Sequence, residues 1–399
     1  MPGSRYYRES IAALEFSAVA THRICLFRDG ANTPLGPEGG ALGGIALELP
    51  LAPEVGVDYG FPLVEDPRAT DRALVLGMFV TRPLARAWQQ PILTPDGAPD
   101  LGRLCQLVAN VRGAEGGSLI SGGNAFDAER LALHYGLVDA VLMGSGTLFA
   151  EGYSQRVGNV GPGYLWQDYT PLAWPQLADR AAVVAAGIRS TRRSWQRLGV
   201  LSSRDRPAQI VVTASGRQAA DGRQVGDAAI FTARHPDGSA IEAYVLTSET
   251  GAQRLLATDG RRWRNQDDRL LVVSPPGEPD RIDLPAVPTM LRRRLDIRIA
   301  NHDGGRTVLD AFLHAGAVPQ LHLTIMRNRS LAEQIGQDVR LPLNLRVGLQ
   351  RDLAQRCELL FPGGEIPAEY RPLQVLSDGE DAVVIAFDTR GSQSSVMNR

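Results

Sequence analysis

The segment that decides the fold is FDAERLALHYGLVDAVLMGSGTLFAEGY, from Phe126 to Tyr153. Its first half places apolar side chains along one side of a short helix that ends near Gly136. Asp139 to Met143 is then a nearly all-apolar run, which is typical of a strand buried on both faces. This strand leads directly into Gly144, Ser145, Gly146 and Thr147. Glycines after such a strand let a backbone approach a phosphate, so we predict a ligand loop here. A tight turn without a ligand would have the same sequence, and the spacing is not that of a dinucleotide motif.

The composition is that of a globular protein without a nucleic-acid surface. Hydrophobic residues make up 44% and charged residues 22% of the chain, and the formal net charge is -2. All 42 basic residues are Arg, because the sequence contains no Lys. Pyridoxal phosphate enzymes and Schiff-base aldolases need a reactive lysine, and Walker A nucleotidases need a loop lysine. These three classes are therefore excluded.

The cysteines and the apolar runs indicate a cytoplasmic protein. Cys25, Cys105 and Cys357 are far apart and form no C-x-x-C pair, which predicts neither a zinc site nor a disulfide framework. The longest apolar run, Ala73 to Val80, is too short to span a bilayer, and the first 25 residues lack the apolar segment of a secretory signal. We expect a small-molecule substrate and no metal, membrane or nucleic-acid partner, and a homodimer is a candidate assembly.

The pattern of the chain changes at about residue 100. Residues 1–100 contain strand-like runs between Gly- and Pro-rich connections, and we predict a β-rich N-terminal extension of unassigned role. Residues 101–399 form the predicted α/β domain. Within it, residues 152–206 hold a dense group of Tyr and Trp followed by a helix-like segment, Gln176 to Leu198. The aromatic rings of this insertion either pack it against the protein surface or form one side of a pocket for a flat ligand.

Strand-like and helical segments alternate through the second region. The strand candidates are 104–111, 139–143, 209–213, 243–247, 269–273, 296–300, 320–325 and 382–387. Leu373 to Leu376 pairs with the last of these runs as a hairpin. We predict a three-layer α/β fold with a mostly parallel central sheet of about eight strands and an antiparallel C-terminal hairpin.

A second glycine loop, Asn301-His302-Asp303-Gly304-Gly305-Arg306, lies between a strand candidate and a helix that ends near Gly316. The start of a helix presents free backbone N–H groups and a positive dipole end, which attract an anion. If the two glycine loops end neighbouring parallel strands, they would hold the two ends of a dinucleotide.

Four motifs, in this order, resemble a known family: VANVRG, LVDAVLMGSGTLFAE, PAQIVVTASGR and ANHDGGRTVLDAFLHAGAVPQLHLTI. They look like the reductase domain of the bifunctional riboflavin-biosynthesis deaminase-reductase, whose fold is that of dihydrofolate reductase. The resemblance covers about Leu104 to Met326 and the terminal hairpin. It implies an NADPH-dependent oxidoreductase. The deaminase half is absent, since residues 1–100 contain no H-x-E or P-C-x-x-C.

The resemblance also implies the cofactor contacts. It places Ala109, Thr147, Glu151 and the turn from Gly305 to Leu309 against NADPH. With the two glycine loops, the predicted cofactor-binding residues are Ala109, Gly144, Ser145, Gly146, Thr147, Glu151, Arg217, Gly304, Gly305, Arg306, Thr307, Val308 and Leu309. Arg217, which follows Ser215-Gly216, is the predicted ligand of the 2′-phosphate, and Arg306 is the second candidate.

On the substrate side, Asp303 stands where the family usually has a Glu that touches substrate, and Asn124 is the other predicted substrate contact. Asp303 and Asp127 are the catalytic candidates. Asp127 begins the first helix, where dihydrofolate reductases keep a carboxylate facing the pterin, although a helix start favours an acidic residue in any case. The family segment that supplies an Arg to the substrate phosphate is replaced here by Glu151-Gly152-Tyr153. We therefore expect a less anionic, ring-containing substrate.

Two hypotheses from different classes follow. The first is an NADPH-dependent reductase of a small pterin-, pyrimidine- or flavin-like substrate. The second is a non-catalytic nucleotide-binding or assembly protein on the same fold, because a fold does not determine an activity. A reductase that uses a flavin or deazaflavin instead of NADPH is a third alternative.

Overall fold

The structure is a computed structural model of the chain. The residues that it describes are 25–28, 33–34, 46–49, 51, 61–83, 107–111, 125–150, 178–216, 224–232, 234–235, 237–258, 263, 269–302, 305–326, 357–359, 366–367, 369–377 and 382–392.

Fifteen strands lie in these described residues. They are β1 (Cys25–Arg28), β2 (Thr33–Pro34), β3 (Leu47–Leu49), β4 (Phe61–Leu63), β5 (Leu74–Pro83), β6 (Leu107–Val111), β7 (Ala140–Gly144), β8 (Ala208–Thr213), β9 (Ala243–Thr247), β10 (Leu270–Val272), β11 (Ile299–His302), β12 (Gln320–Met326), β13 (Cys357–Leu359), β14 (Arg371–Ser377) and β15 (Ala382–Asp388). The α-helices are α1 (Ala125–Gly136), α2 (Ser145–Ala150), α3 (Ala178–Arg197), α4 (Glu249–Thr258), α5 (Val287–Leu295) and α6 (Gly305–His314).

The main sheet has the strand order β10-β9-β8-β7-β11-β5-β12-β15-β14-β1-β2. The seven strands from β10 to β12 in this order run parallel to one another. The last strands, β15 and β14, form an antiparallel hairpin next to β12. The predicted fold class, a mostly parallel sheet with an antiparallel C-terminal hairpin, is confirmed.

The central strand of this sheet is β5, which lies between β11 and β12. Its first residues are all buried, with Leu74, Val75 and Leu76 at 0% exposure. The prediction that residues 1–100 form a separate extension is therefore wrong for this strand. The apolar run Ala73 to Val80 has the composition of a strand. The strands that flank it, β11 and β12, come from the other end of the chain, and local sequence pattern does not predict pairing between distant strands.

β6 is not one of the parallel strands. It pairs antiparallel with the last two residues of β5 and with β13, beside the main path of the sheet. The sequence pattern predicts this strand as the first of the α/β pattern, but that place belongs to β5. Ala109 lies on β6, next to Val108, which pairs with Arg82 near the end of the central strand.

Helices cover both faces of the sheet. On one face, here called the α6 face, Leu309 and Phe312 of α6 and Leu291 of α5 pack against strand residues such as Val75 and Leu142. On the other, the α1 face, Leu133 of α1 and the buried Ile188 and Trp195 of α3 pack against Leu76, Val141 and Ile299. The alternation of side chains along each strand separates the two cores, and the result is the predicted three-layer arrangement.

The predicted helices are also present. α3 confirms the helix-like segment of the insertion, while the aromatic residues between 153 and 174 lie outside the described residues. Ser248 caps α4, because its Oγ accepts a hydrogen bond of 3.0 Å from the N–H of Gly251. Pro288 stands in the first turn of α5, and Gly316 follows α6 with a φ of 65°.

Candidate functional site

The two segments that the sequence marked as glycine loops follow neighbouring strands. β7 and β11 pair in parallel, with Asn301 opposite Val141 and His302 opposite Leu142. From β7 the chain continues through α2 and α3 to β8, on the side away from β11. From β11 it continues through α6 to β12, across β5. Connections that leave adjacent strand ends in opposite directions create a crevice at the carboxyl edge of the sheet, where open α/β folds bind ligands.

β7 joins α2 without a loop. The strand includes Gly144, and the helix begins at Ser145, so the predicted loop is a strand end followed by the first turn of a helix. Leu148 explains the tight junction, because it is fully buried and packs with Met143 on the same face. Gly146 is exposed, and a Cβ added there would meet nothing within 4 Å. The backbone in this turn therefore borders open space.

β11 joins α6 through two residues that lie outside the described part of the chain. Gly305, the first residue of α6, has a φ of 72°, a left-handed conformation that a residue with a side chain adopts only at a cost. Gly77 on β5 lets α6 lie close to the sheet, because a Cβ there would come within 3.0 Å of side-chain carbons of Leu309, Val318 and Leu321. These two glycines fix the position of the α6 N-terminus above the crevice.

Arg306 is the charged residue in the first turn of α6. Its Nε is buried and has no hydrogen-bond partner in the part of the chain that the structure describes. A buried guanidinium nitrogen normally donates to a carboxylate, a carbonyl or a phosphate, so this donor remains available. An anion at the α6 N-terminus would meet both the helix dipole and this side chain.

His302 is the last residue of β11 and is fully buried on the α6 face, with its ring centroid 4.8 Å from that of Phe312. Burial lowers the pKa of His302 to about 4. The imidazole is therefore neutral at neutral pH and does not bring a positive charge to the crevice.

Asn301, one residue earlier, lies on the α1 face and is 0% exposed. Neither its Oδ1 nor its Nδ2 has a hydrogen-bond partner among the described residues. A buried polar group without a hydrogen bond lowers the stability of the folded protein by about 1–3 kcal/mol, so an unpaired amide calls for an explanation. Asn301 belongs to the second glycine loop of the sequence, where no role was predicted for it. The available signal was an amide that follows two apolar residues in the short strand Ile299–His302.

The described residues include only part of the predicted site. Asn124, Glu151, Arg217, Asp303 and Gly304 lie outside them. Asp127 stands in the first turn of α1, and Thr147 in α2. Of the α6 turn, Thr307 is exposed, whereas Leu309 is fully buried in the core. The side chain of Leu309 therefore anchors the helix to the sheet.

No described helix has the length and apolar character needed to cross a membrane. Within the same residues, no group of three or more His, Cys, Asp or Glu side chains is placed to hold a metal ion.

Several solved structures are similar to this chain. A pyrimidine reductase-like protein from Corynebacterium diphtheriae has 16% sequence identity and a TM-score of 0.41, and the match covers 79% of this chain and 91% of that one. The riboflavin biosynthesis reductase Rib7 from Saccharomyces cerevisiae has 11% identity and a TM-score of 0.38, with coverage of 80% and 90%. The chain is similar to riboflavin-biosynthesis reductases.

RibD from Acinetobacter baumannii has 12% identity and a TM-score of 0.35, and the match covers 80% of this chain but only 58% of RibD. No family model matches the chain, and no curated protein matches it. Similarity at this level does not transfer an activity, a substrate or a cofactor to this chain.

Proposed function

We propose that this protein is an NADPH-dependent reductase that transfers a hydride to a small, ring-containing substrate at the carboxyl edge of its sheet. The observation that carries the proposal is the topological switch point between β7 and β11. Each of these two strands is followed by a glycine-containing helix start, so one crevice is bordered by backbone that an extended nucleotide can approach.

The residues around the switch point fit a pyridine dinucleotide. The pyrophosphate would lie at the N-terminus of α6, where Gly305 leaves the backbone accessible. The Nε of Arg306, which has no partner among the described residues, can donate to it. The open turn around Gly146 would face the other part of the cofactor. β8 ends beside β7 at the same edge, and Arg217 follows soon after it in the sequence. This order supports Arg217 as the ligand of the 2′-phosphate, with a preference for NADPH over NADH.

The bound nicotinamide would supply the hydride, and the protein would supply orientation and a proton path. Asp303 directly follows β11, and we propose that its carboxylate accepts a hydrogen bond from a ring N–H or amino group of the substrate. Asp127 in the first turn of α1 is the second candidate for a proton-handling carboxylate. Because His302 is buried with a lowered pKa, we assign no acid role to it.

Gly305→Val tests the position of the cofactor. A branched side chain at this φ would strain the turn and block the approach of the pyrophosphate, so we expect the affinity for NADPH to fall by at least about 100-fold. The matched control is Gly316→Val, which places the same side chain at a φ of 65° after the other end of α6. Titration calorimetry on both variants, with folding checked by circular dichroism, gives the comparison. Unchanged NADPH affinity in Gly305→Val would refute the placement.

A turnover assay distinguishes a reductase from a non-catalytic nucleotide-binding or assembly protein. NADPH oxidation should be measured with pterins, flavins and pyrimidines as candidate substrates. Tight NADPH binding without oxidation in the presence of any of them would favour the non-catalytic nucleotide-binding or assembly protein. Binding of a flavin or deazaflavin in place of NADPH would favour the third alternative.

A further inference from the structure

Two buried amides stand on the same face of the sheet, on either side of Leu76 of β5. Asn301 of β11 is opposite Leu76 on one side, and Gln320 of β12 is opposite Leu76 on the other. Both side chains are 0% exposed. Since neighbouring strands are about 4.8 Å apart, the two amides lie roughly 10 Å from each other in matched environments.

The two amides differ in their partners. Gln320 Oε1 accepts a hydrogen bond of 3.0 Å from the N–H of Val64, and its Nε2 donates to the carbonyl of Pro62 at 2.8 Å. Its Nε2 also lies 2.7 Å from Nε2 of His322. For Asn301, no described residue supplies a partner to either atom of the amide. Gln320 is thus a structural amide, and Asn301 is an amide with unused donors and an unused acceptor.

The position of Asn301 connects it to the crevice. It is the second-to-last residue of β11, and the neighbouring strand β7 ends at Gly144 at the same edge. β11 ends one residue beyond Asn301, whereas β7 continues to Gly144 and β5 to Pro83 on either side of it. A group that enters between these two strands would have to pass only His302, roughly 3.3 Å, to lie beside Asn301. Because Asn301 is fully buried, that group must displace the side chains that cover it.

The chemistry of the amide defines the group that fits. Oδ1 needs a donor and Nδ2 needs an acceptor, and the two atoms are adjacent and coplanar. A second amide or a lactam presents a donor and an acceptor at the matching spacing and pairs with both. We propose that Asn301 is a specificity-determining residue that recognises the amide or lactam edge of a ring-bearing ligand. This inference rests on the proposed function in one respect, because the edge belongs either to the carboxamide of the nicotinamide ring or to a substrate ring.

The first test measures thermal stability without ligand. Asn301→Leu replaces an unpaired amide with an apolar group of similar size, so we expect the melting temperature to rise by about 2–4 °C. Gln320→Leu is the matched control, and it should lower the melting temperature by at least as much because it leaves the N–H of Val64 unpaired. A fall or no change in Asn301→Leu would mean that a protein group or a buried water already satisfies the amide, and would overturn the proposal.

The second test measures ligand affinity and distinguishes the two sources of the amide edge. NADPH is compared with 2′-phospho-ADP-ribose, which lacks the nicotinamide, and 2-pyridone is compared with N-methyl-2-pyridone, which lacks the N–H. If the nicotinamide is the partner, Asn301→Leu should weaken NADPH binding by at least about 10-fold and leave 2′-phospho-ADP-ribose unaffected. If a substrate ring is the partner, the variant should lose the preference for 2-pyridone over its N-methyl form.

Affinities for all four probes that do not change in Asn301→Leu would overturn the proposal, even if the variant is more stable. Failure of the proposed function has a different signature. In that case the wild-type protein would not bind NADPH. The melting temperature of Asn301→Leu and its affinities for 2-pyridone and N-methyl-2-pyridone would still test the role of Asn301.

Discussion

At the amino edge of the sheet, where β7 and β11 begin, one carboxylate ties together three parts of the chain. Asp139 Oδ1 accepts hydrogen bonds from the N–H and the hydroxyl of Ser202, at 3.0 and 2.7 Å, and Oδ2 accepts one of 2.9 Å from the N–H of Arg298. Nη2 of the buried Arg192 lies 3.7 Å from the same carboxylate. At the carboxyl edge of the same two strands, Asn301 and Arg306 keep polar atoms without partners in the described residues.

The two edges differ in how far their buried polar groups are paired, although Nε of Arg298 at the amino edge also has no hydrogen-bond partner in the described residues. Satisfied buried polar groups fix the strands in place, whereas unsatisfied ones reduce stability and remain available to a ligand. Substitutions at the amino edge should therefore change stability, and substitutions at the carboxyl edge should change binding.

Acid should destabilise the folded protein and produce the largest change. Burial lowers the pKa of His302 at the carboxyl edge, and it also lowers the pKa values of His134 on α1 and His322 on β12 well below the ordinary value of 6.5. The unfolded chain binds a proton at each site below pH 6.5, but the folded chain does not. Stability is therefore complete above pH 6.5 and falls as the pH drops, by about 1.4 kcal/mol per pH unit for each histidine, until the folded pKa is reached.

Urea denaturation between pH 7 and pH 5 measures this loss. His302→Gln should reduce the slope by about one third, because it removes one of three protons from the linkage. A free energy of unfolding that is flat across this range would show that the histidines are accessible to protons in the folded protein.

Asp139→Ala should cause the largest loss of stability among the single substitutions considered. It removes the acceptor of three hydrogen bonds and leaves Arg192 buried beside the gap, at a cost of about 3–5 kcal/mol in free energy of unfolding. Asp237→Ala is the matched control, since Asp237 accepts from the N–H and hydroxyl of Ser239 and pairs with Arg206, but its side chain is 53% exposed. Chemical denaturation should show a much smaller change for the control. Equal losses would contradict the distinction between a buried network and a surface one.

Arg306→Met should have the smallest effect, and on binding rather than stability. Removing a charge-assisted donor at the α6 N-terminus should weaken NADPH binding by about 10-fold while the melting temperature stays the same. Arg298→Met is the amino-edge counterpart, because Arg298 donates to the carbonyl of Gly199 and contacts Asp296. We expect Arg298→Met to lower the melting temperature and leave NADPH affinity unchanged. The reverse pattern in the two variants would invalidate the division between the edges.

Much of the fold was predictable because it depends on local pattern. The apolar run of β7, the alternating residues of β12 and the glycines that end helices all act within a few positions along the chain. The sequence predicts a shared ligand crevice only if the two glycine segments follow neighbouring parallel strands. The pairing of β7 with β11 fulfils this condition.

The remaining features depend on distant residues. Gly77 looks like a strand breaker in sequence, yet it is needed because Leu309 packs against it. Asn301 and Gln320 look alike in sequence, as single amides near the end and the start of buried strands. Gln320 is satisfied only because Pro62 and Val64 lie beside it, and no local pattern predicts that contact.

The central position of β5 also constrains how the protein is made. Ribosomes release Leu74–Pro83 early, but the strands that flank it, β11 and β12, begin at Ile299 and Gln320. Until those residues emerge, an apolar strand has two open edges, which is a state that favours pairing with other chains. A truncated chain that ends before Ile299 should therefore aggregate, and the full chain should fold slowly because its central contacts join distant parts of the sequence.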